Sequence, residues 1–368
     1  MGGGQIPDGQ QVHRAVDDGR TVSADDARAF VGRAARYVGM ADEDVVRFVD
    51  GLVEADLRGH LSHGIVRVPP YVRALAAGVV NPKPRVEAVR RFGATALLDG
   101  DNGHGVVVGQ IAADRAVELA RQHGVGVVAV RNSNHAGMLA THVLRATHND
   151  MIGYFTSGGP AIMAPYGGRE PRMGNAPFAC AIPRRTGDPI VLDMASSQVA
   201  RGKVRMHADR GEPIPEGWAI DERGVPTRDA AAAMRGSVVP MSGYKGYGIA
   251  FVTEILASVL PGACLSVEMP RAFLEAGSTM LDSWGSGHLA MAINVEAFAD
   301  PEEFKTEVDR WVTYMKETPL AEGANSILVP GEPEWIARRD RIRNGIPLNA
   351  TVASQLDSFA EEIGIDRI

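Results

Sequence analysis

A histidine and an arginine stand four residues apart in the segment Ser62–Arg67, which reads SHGIVR. On a helix, residues four apart project from the same face. The guanidinium of Arg67 can hold a carboxylate through two parallel hydrogen bonds, and His63 can exchange a proton near neutral pH. The pair therefore suits chemistry on a 2-oxo acid. Spacing alone favours the structural alternative, an N-cap serine followed by a hydrogen-bonded histidine and a surface arginine.

A second histidine, His135, lies in the polar segment Asn132–Gly137, which reads NSNHAG and directly follows a predicted strand. Ligands of α/β sheets bind beyond the carboxyl ends of the strands. Small and polar residues around a histidine at this position are difficult to explain by packing alone. A functional and a structural role for His135 both remain open at this point.

An acidic residue, Asp193, lies inside the apolar run Ile190–Ser196, which reads IVLDMAS. A buried carboxylate costs free energy unless it is paired or hydrogen-bonded. We therefore expect Asp193 to have a fixed partner. A catalytic histidine is one candidate, and a set of backbone N–H groups capped by the carboxylate is the other.

Two glycine-rich turns are candidates for holding a phosphate. The first, residues 103–109, matches the Rossmann pattern poorly, because the next strand ends at Arg131 and Asn132 instead of an acidic residue. The second, residues 242–248, reads SGYKGYG and opens a predicted helix. Free backbone N–H groups, the helix dipole and Lys245 would together favour an anion there. A flexible glycine loop is the alternative.

The composition excludes several classes of function. The chain has 368 residues, 38 basic and 45 acidic side chains, and a net charge of −7, so neither nucleic acid nor an anionic membrane is an expected partner. Cys180 and Cys264 lie far apart in the sequence, which argues against a disulfide framework and fits a reducing cytoplasm. His142 and His148 lack the spacing of metal ligands, so we predict no metal site.

The pattern of elements changes along the chain. Both ends show the helical period, and Ser23 with Asp26 has the form of a capping box. The centre alternates short apolar strands with helices and contains a β-α-β unit from Ala94 to Ser133. These patterns predict an α/β fold with a central mixed-sheet domain, residues 91–299. The two termini, residues 1–90 and 300–368, are predicted to form one discontinuous helical domain.

Predictions can be made for three further segments. The polar start, residues 1–20, is predicted to be an irregular N-terminal segment and not a signal peptide. The segment 210–230 is rich in proline, glycine and charged residues and is predicted to form an excursion of the chain, a long loop, across the surface. Residues 248–260 are too short an apolar stretch to span a bilayer, which takes about 20 residues, and are predicted to form a buried helix.

Taken together, these segments resemble the malate/L-lactate dehydrogenase family of the second type, whose members are NAD(P)-dependent reductases without a Rossmann fold. The resemblance runs from Ser23 to about Gly364. The blocks that carry it, in chain order, are SHGIVR (62–67), DGDNGHG (99–105), NSNHAG (132–137), APYGGREPRMGNAPFACAIP (164–183), VLDMASSQVARGKV (191–204), IPEGWAIDERGVPT (214–227), SGYKGYG (242–248) and LVPGEP (328–333).

The resemblance implies a cofactor, NAD or NADP, that lies across a non-Rossmann sheet domain closed by the helical domain, in a homodimer. It implies that His63 or His135 is the proton donor, that Arg67 holds the substrate carboxylate, and that Asp193 orients a histidine. The positions implied to bind the cofactor are Ile190, Val191, Leu192, Asp193, Met194, Ala195, Ser196, Tyr244, Lys245, Gly331, Glu332 and Pro333.

The implied activity is hydride transfer between a nicotinamide and a small 2-oxo or 2-hydroxy carboxylic acid. Reduction of cyclic imino acids or N-alkyl imines is the alternative, because the same arginine would hold the carboxylate. Two positions depart from the family pattern: Ala176 replaces a common asparagine, and Ala136 replaces a residue that is often bulkier. We hypothesise from Ala136 that the substrate is larger than lactate.

Overall fold

The computed structural model of the protein describes residues 19–270 and 285–368. The helices in these ranges are α1 (Ala24–Tyr37), α2 (Asp42–Leu57), α3 (Val68–Ala76), α4 (Gly105–His123), α5 (Ala140–Thr147), α6 (Arg201–Arg210), α7 (Ala230–Arg235), α8 (Tyr244–Glu254), α9 (Pro301–Lys316), α10 (Glu332–Asn344) and α11 (Ala350–Ile363). The strands are β1 (Arg20–Val22), β2 (Glu87–Phe92), β3 (Thr95–Asp99), β4 (Val125–Ser133), β5 (Met151–Ser157), β6 (Phe178–Ile182), β7 (Ile190–Met194), β8 (Ala219–Ile220), β9 (Pro226–Thr227), β10 (Ser237–Val238), β11 (Ser286–Asn294) and β12 (Ile346–Leu348).

A seven-stranded sheet with the order β2-β3-β4-β11-β5-β6-β7 forms the centre of the fold. Only β3 and β4 run parallel, and α4 connects them, so the predicted β-α-β unit is confirmed. The other neighbouring pairs are antiparallel. The predicted α/β fold with a mixed central sheet is therefore confirmed.

Helix α4 packs tightly on the central sheet because two glycines allow a close approach. A Cβ at Gly126 of β4 would lie 2.0 Å from the backbone oxygen of Ala116 in α4. A Cβ at Gly105, the first residue of α4, would lie 2.1 Å from the backbone oxygen of Asn134. The start of α4 is thus held directly beneath the loop that follows β4.

The two ends of the chain share one hydrophobic core. Its largest fully buried side chains come from α1, α2, α3 and α11 and include Phe30, Phe48, Tyr71 and Phe359. Strand β1 pairs antiparallel with β12. This pairing is a second contact between the N-terminal and C-terminal parts of the chain. At the start of α1, the Ser23 hydroxyl accepts the Asp26 N–H at 3.0 Å, so the predicted serine cap is confirmed.

Helix α10 connects this helical core to the central sheet. The Trp335 indole donates to the backbone oxygen of Pro189, just before β7, at 2.8 Å. On the other side, Arg338 donates to the Glu54 carboxylate of α2 at 2.7 Å. Arg58 lies over the Trp335 ring, 3.6 Å from its centroid. Helix α10 therefore contacts both the last strand of the sheet and the end of α2.

Helix α8, predicted as buried, forms but exposes large apolar side chains. Its buried residues are small or polar, as are those of the π-helical turn Ile255–Val259 that continues it, and they are Gly246, Ala250, Thr253, Ala257 and Ser258. The exposed residues are large and apolar, and they are Tyr244, Ile249, Phe251, Val252, Ile255, Val259 and Leu260. The prediction of burial was wrong because an apolar run does not reveal which of its faces meets the core.

The segment predicted as a surface excursion is partly ordered into a small sheet. Strands β8 and β9 pair with each other, and β8 also pairs with β10. This sheet, α6 and α7 enclose a core of their own that contains Ile214 and Val204. No helix within residues 19–270 and 285–368 is long and apolar enough to cross a membrane. Nearly all of the predicted irregular N-terminal segment, residues 1–18, lies outside the described residues.

Candidate functional site

The segment with His63 and Arg67 forms a tight turn between α2 and α3. It consists of two short 3-10 helices, Leu61–His63 and Ile65–Arg67, and not of one regular helix. The buried carboxylate of Asp56, at the end of α2, accepts the Ile65 N–H at 2.7 Å. A Cβ at Gly64 would lie 1.9 Å from an oxygen of that carboxylate. Asp56 and Gly64 together fix the backbone that carries His63.

The side chains of His63 and Arg67 are half-buried, and both are hydrogen-bonded to Ser62, which is exposed. The Ser62 hydroxyl lies 2.9 Å from Nδ1 of His63. The Nε of Arg67 donates to the backbone oxygen of Ser62 at 2.7 Å. Burial, followed by the charges of Arg67 and His60, lowers the pKa of His63 to about 3. His63 is therefore a neutral imidazole at physiological pH.

His135 meets this turn from the other side. The loop after β4 places its ring 5.6 Å from the His63 ring, centroid to centroid, with 24° between the ring planes. Burial lowers the pKa of His135 well below its ordinary value, and the charges of His63 and Arg67 add to the effect. The structure thus brings together His63, Arg67 and His135, which the sequence singled out separately.

Tyr71, which the sequence reasoning missed, binds His135 directly. Its hydroxyl lies 2.6 Å from Nδ1 of His135, and its side chain is fully buried. The His104 ring packs against the Tyr71 ring with 4.3 Å between centroids. Tyr71 follows Arg67 by one helical turn, but no local pattern separates it from an ordinary core tyrosine. Its partner could be known only from the tertiary structure.

Asp193 has backbone groups as hydrogen-bond partners. Its Oδ2 accepts the Ala140 N–H at 2.7 Å, at the start of α5, and the Leu139 N–H is a second donor. Burial raises its pKa, while the charge of His60 opposes the shift. Of the two partners considered from the sequence, the structure shows the backbone cap. The cap holds the segment from His135 to α5 against β7.

A cavity of about 390 Å³ brings together residues from two of the predicted cofactor-binding segments. His60, three residues before His63, and Ala140, five residues after His135, contribute to its wall. The predicted cofactor residues that line it are Val191, Leu192, Asp193, Gly331 and Pro333.

The backbone joins the two cofactor-binding segments at one end of this cavity. The Val191 N–H donates to the backbone oxygen of Pro330 at 3.1 Å. Gly331 has φ +84°, and a Cβ there would lie 2.7 Å from the backbone oxygen of Val191. The Glu332 carboxylate accepts the Val329 N–H at 3.1 Å, and Lys316 pairs with it. Glycine at position 331 is thus required for β7 to approach the start of α10.

The third predicted segment, with Tyr244 and Lys245, adjoins the other end of the β7 segment. The Met241 N–H donates to the backbone oxygen of Ser196 at 2.9 Å. Tyr244 and Lys245 open α8 and are exposed to solvent. The path from Ile190 through Met194 and Ala195 to Ser196 therefore connects all three segments. At about 3.3 Å per residue, this path is about 20 Å long, which suits an elongated ligand.

Ser196 is fixed by the segment in which the chain departs from the family pattern. Its hydroxyl donates to the backbone oxygen of Ala176 at 2.8 Å, and its N–H donates to that of Asn175 at 2.8 Å. Ala176 has φ +43°, which is the left-handed region. Side chains with a Cβ rarely adopt this conformation, whereas asparagine tolerates it better. Alanine is therefore a strained choice beside a predicted cofactor residue.

The remaining positions of interest have structural contacts. His142, predicted as structural, is buried, stacks on Phe155 at 4.3 Å, and contacts the backbone oxygen of Ala136 through Nε2 at 2.9 Å. His148 is exposed. Ala136 is 3% exposed and belongs to the core of the central sheet. Its small side chain therefore bears on core packing and no longer supports the hypothesis of a larger substrate.

Comparison with known proteins places this geometry in one family. A family model described as malate/L-lactate dehydrogenase matches residues 22–357. The chain is 36% identical over 352 residues to a malate dehydrogenase from Pyrococcus abyssi, covering 94% of this chain and 95% of the relative.

Solved structures share the whole fold. A sulfolactate dehydrogenase from Methanocaldococcus jannaschii superposes with a TM-score of 0.87 at 36% identity, covering 94% of this chain and 98% of that one. A Δ1-piperideine-2-carboxylate reductase from Pseudomonas syringae superposes with a TM-score of 0.82 at 26% identity, covering 93% of this chain and 100% of that one. The similarity therefore extends over both the sheet and the helical core.

Proposed function

Because the chain belongs to the malate/L-lactate dehydrogenase family, we propose that it interconverts a small 2-hydroxy carboxylic acid and its 2-oxo acid with a nicotinamide dinucleotide. The convergence of His63, His135 and Arg67 at one turn carries this proposal. Dehydrogenation requires a group that binds the acid, a group that moves a proton, and a site that holds both reactants together. Arg67 and the two histidines supply the first two, and the cavity whose wall includes His60 and Ala140 is the candidate for the third.

Each side chain has a role that follows from its chemistry. Arg67 binds the substrate carboxylate, since its planar fork matches a carboxylate. His63 and His135 are the groups that act on the substrate oxygen, because their stacked rings lie at the same turn. Asp193 supports the site indirectly, by capping the start of α5 behind His135.

The dinucleotide, NAD or NADP, lies along β7 in this proposal. The cavity bounded by Val191, Leu192, Asp193, Gly331 and Pro333 supports it. The continuation through Ile190, Met194, Ala195 and Ser196 to Tyr244 and Lys245, together with Glu332 at the start of α10, gives the elongated surface that a dinucleotide needs. When bound, the nicotinamide supplies or takes up the hydride. The helical part closes over this surface in the predicted two-domain division, residues 1–90 with 300–368 and residues 91–299.

Reduction of a cyclic imino acid is the second candidate function. The observation that favours it is the shared fold of the piperideine-carboxylate reductase at 26% identity. In that reaction Arg67 would hold the same carboxylate, and the proton would go to nitrogen instead of oxygen. The histidine pair serves both reactions, so the substrate decides between them.

One assay panel tests the proposed function and the alternative. Purified protein is supplied with NADH or NADPH and with pyruvate, oxaloacetate, sulfopyruvate or Δ1-piperideine-2-carboxylate, and the loss of reduced nicotinamide is followed by absorbance. We expect an oxo acid to give the highest kcat/KM. A preference for the cyclic imine would favour the alternative, and no turnover with either class would refute both.

A homodimer is supported by the exposed apolar face of α8. The face defined by Tyr244, Phe251, Val252, Ile255 and Val259 is large and apolar, while the buried side of the same helix carries small residues. Large exposed apolar patches mark protein–protein interfaces. The patch continues from Tyr244 to Leu260 along one helix, a length that a second copy of the chain can cover with its own α8.

The dimer has a direct test in a charge substitution on this face. Phe251→Glu should convert the protein to monomers in analytical ultracentrifugation, because a buried unpaired carboxylate costs several kcal/mol. Phe298→Glu is the matched control, since Phe298 is exposed on another element. A wild-type monomer, or a Phe251→Glu dimer of unchanged stability, would exclude this interface.

We place the enzyme in the cytoplasm, a compartment that keeps thiols reduced. Cys180 and Cys264 are both unpaired in the structure, which supports this placement. Fractionation of cells followed by immunoblotting tests it. Recovery of the protein from an oxidising compartment would refute it.

A further inference from the structure

The Nδ1 atom of His135 has two hydrogen-bond partners with different chemistry. The Gly137 N–H lies 3.2 Å from it, and the Tyr71 hydroxyl lies 2.6 Å from it. A backbone N–H can only donate, so Nδ1 accepts this bond and carries no proton. The Tyr71 hydroxyl must then donate as well. Burial raises the pKa of Tyr71 to about 12, which keeps this donor protonated. The proton of the neutral imidazole is therefore on Nε2.

The corresponding nitrogen of His63 is bonded in a different way. Its Nδ1 lies 2.9 Å from the Ser62 hydroxyl, and a hydroxyl can donate or accept. His63 can consequently hold a proton on Nδ1 and still release or take up one at Nε2. This freedom is what a general acid or base requires. The two histidines thus differ in the protonation states that their surroundings permit.

We propose that Tyr71 is a positioning residue that holds His135 as a neutral Nε2–H donor, so that His135 polarises the substrate oxygen while His63 transfers the proton. The inference rests on the proposed function, in which His63 and His135 share one role, and it gives each histidine a separate role. In the direction of alcohol oxidation, the O–H bond of the substrate breaks and a new N–H bond forms at Nε2 of His63, which starts as the neutral imidazole with its proton on Nδ1 and ends as the imidazolium, while the substrate carbon gives up its hydride to the nicotinamide. Reduction is the reverse of this step. The Nε2–H bond of His135 stays intact throughout.

Hydrogen bonding, burial and neighbouring charges all disfavour the protonated form of His135. A proton on Nδ1 would face the Gly137 N–H, which cannot accept it. Burial disfavours the cation, and the charged or titratable groups that act on the ring all lower its pKa; they are His63, Arg67, His104 and His288. A neutral imidazole of depressed pKa can still polarise a carbonyl group through its N–H.

The geometry of Tyr71 is rigidly defined, as a positioning role requires. The side chain is fully buried in the helical core. The His104 ring packs against it at 4.3 Å and 65°, and the Phe48 ring at 6.3 Å and 62°. His104 is itself fixed, since its Nδ1 accepts the Val106 N–H at 3.3 Å as the cap of α4. The hydroxyl is therefore aimed at His135 by the packing of three elements.

Neutron diffraction from crystals of the deuterated full-length protein tests the tautomer directly. We expect deuterium on Nε2 of His135, none on Nδ1, and the Tyr71 deuteron pointing to Nδ1. Crystals of Tyr71→Phe, which retains the ring, should keep deuterium on Nε2 of His135, because the Gly137 N–H still donates to Nδ1, but the His135 ring should be less well ordered. Deuterium on Nδ1 in the wild type would overturn the inference. This measurement needs no turnover, so its outcome is independent of whether the proposed substrate class is correct.

Glutamine substitutions test the division of roles with a substrate from the assay panel. A glutamine amide can donate a hydrogen bond but cannot transfer a proton at neutral pH. We expect His135→Gln to keep kcat within about 10-fold of the wild type, whereas His135→Ala loses roughly 10²–10³-fold, the cost of a deleted oxyanion donor. His63→Gln should lose about 10²–10⁴-fold, as for a general acid. Equal losses in His135→Gln and His135→Ala would refute the proposal.

Tyr71→Phe separates a positioning role from a purely structural one. We expect kcat to fall about 2–13-fold, the effect of one hydrogen bond of about 0.5–1.5 kcal/mol, with KM unchanged. In the His135→Gln background the same substitution should have no effect on kcat, because glutamine has no Nδ1. An equal loss in both backgrounds would assign Tyr71 to packing alone and would overturn its positioning role.

Discussion

Replacement of Asp56 by asparagine should make the protein more stable at neutral pH. The Asp56 carboxylate is 2% exposed and accepts the Ile65 N–H at the turn that carries His63. Burial raises its pKa to about 7, although Arg341 and the Ile65 N–H oppose the shift. Asparagine has the same shape and keeps an oxygen acceptor for Ile65, but it carries no charge to desolvate.

The pKa difference sets the size and the direction of the effect. In the unfolded chain an aspartate titrates near 3.9, so folding takes up a proton between about pH 4 and pH 7. The stability that Asp56 contributes is complete below about pH 4 and is lost as the pH rises through 7. Three pKa units correspond to roughly 4 kcal/mol at 1.36 kcal/mol per unit. Between about pH 4 and pH 7, the free energy of unfolding of Asp56→Asn should therefore rise by roughly 4 kcal/mol relative to that of the wild type.

Urea unfolding at several pH values between about 4 and 8 measures this difference. Asp209→Asn is the control, since Asp209 is exposed on α6 and a surface substitution changes stability by about 0.5 kcal/mol or less. The free energy of unfolding of Asp56→Asn minus that of the wild type should rise with pH and then level off. A difference that stays constant with pH would show that the Asp56 carboxylate is not desolvated and would refute the reasoning.

Three further substitutions address binding and strain. Arg67→Ala should raise KM for the acid with a smaller change in kcat, because it removes a carboxylate contact; an unchanged KM in steady-state kinetics would exclude that contact. Ala176→Gly should raise the free energy of unfolding by about 0.5–1 kcal/mol by relieving the left-handed backbone, and a loss in urea titration would contradict this. Gly331→Ala should weaken dinucleotide binding in calorimetry, because its Cβ would meet Val191; an unchanged Kd would exclude cofactor binding at that junction.

Local sequence signals predicted the individual elements well. The β-α-β unit predicted from Ala94 to Ser133 contains β3, α4 and β4, because buried β-branched stretches between glycine and polar residues leave little freedom. The β-α-β unit followed from the alternation of strand and helix periods. These local signals did not predict the order of the strands in the sheet. Nothing local indicates that β11 pairs with both β4 and β5.

The candidate site was predictable only in part, for a related reason. His63, Arg67 and His135 stood out because their types and spacing suit acid and proton chemistry. Tyr71 and Asp56 did not, since a tyrosine in a helix and an aspartate at a helix end are ordinary. Their importance comes from contacts across the tertiary structure, to His135 and to the Ile65 N–H.

The exposed face of α8 illustrates a second limit of sequence reasoning. The run Gly248–Leu260 is apolar on all sides, so its periodicity carries no information about orientation. The small residues Gly246, Ala250 and Ala257 allow the helix to approach the core closely, and they leave the large side chains outward. Size, and not hydrophobicity, decides which side is buried here.

The position of β11 between β4 and β5 has a consequence for biosynthesis. The ribosome completes β4 and β5 long before it reaches β11, which is the strand that separates them in the finished sheet. At roughly 5–20 residues per second, the nascent chain waits on the order of ten seconds with two unpaired strand edges. Open edges are templates for aggregation, so the edges of β4 and β5 that β11 covers stay available for incorrect pairing until translation passes Asn294.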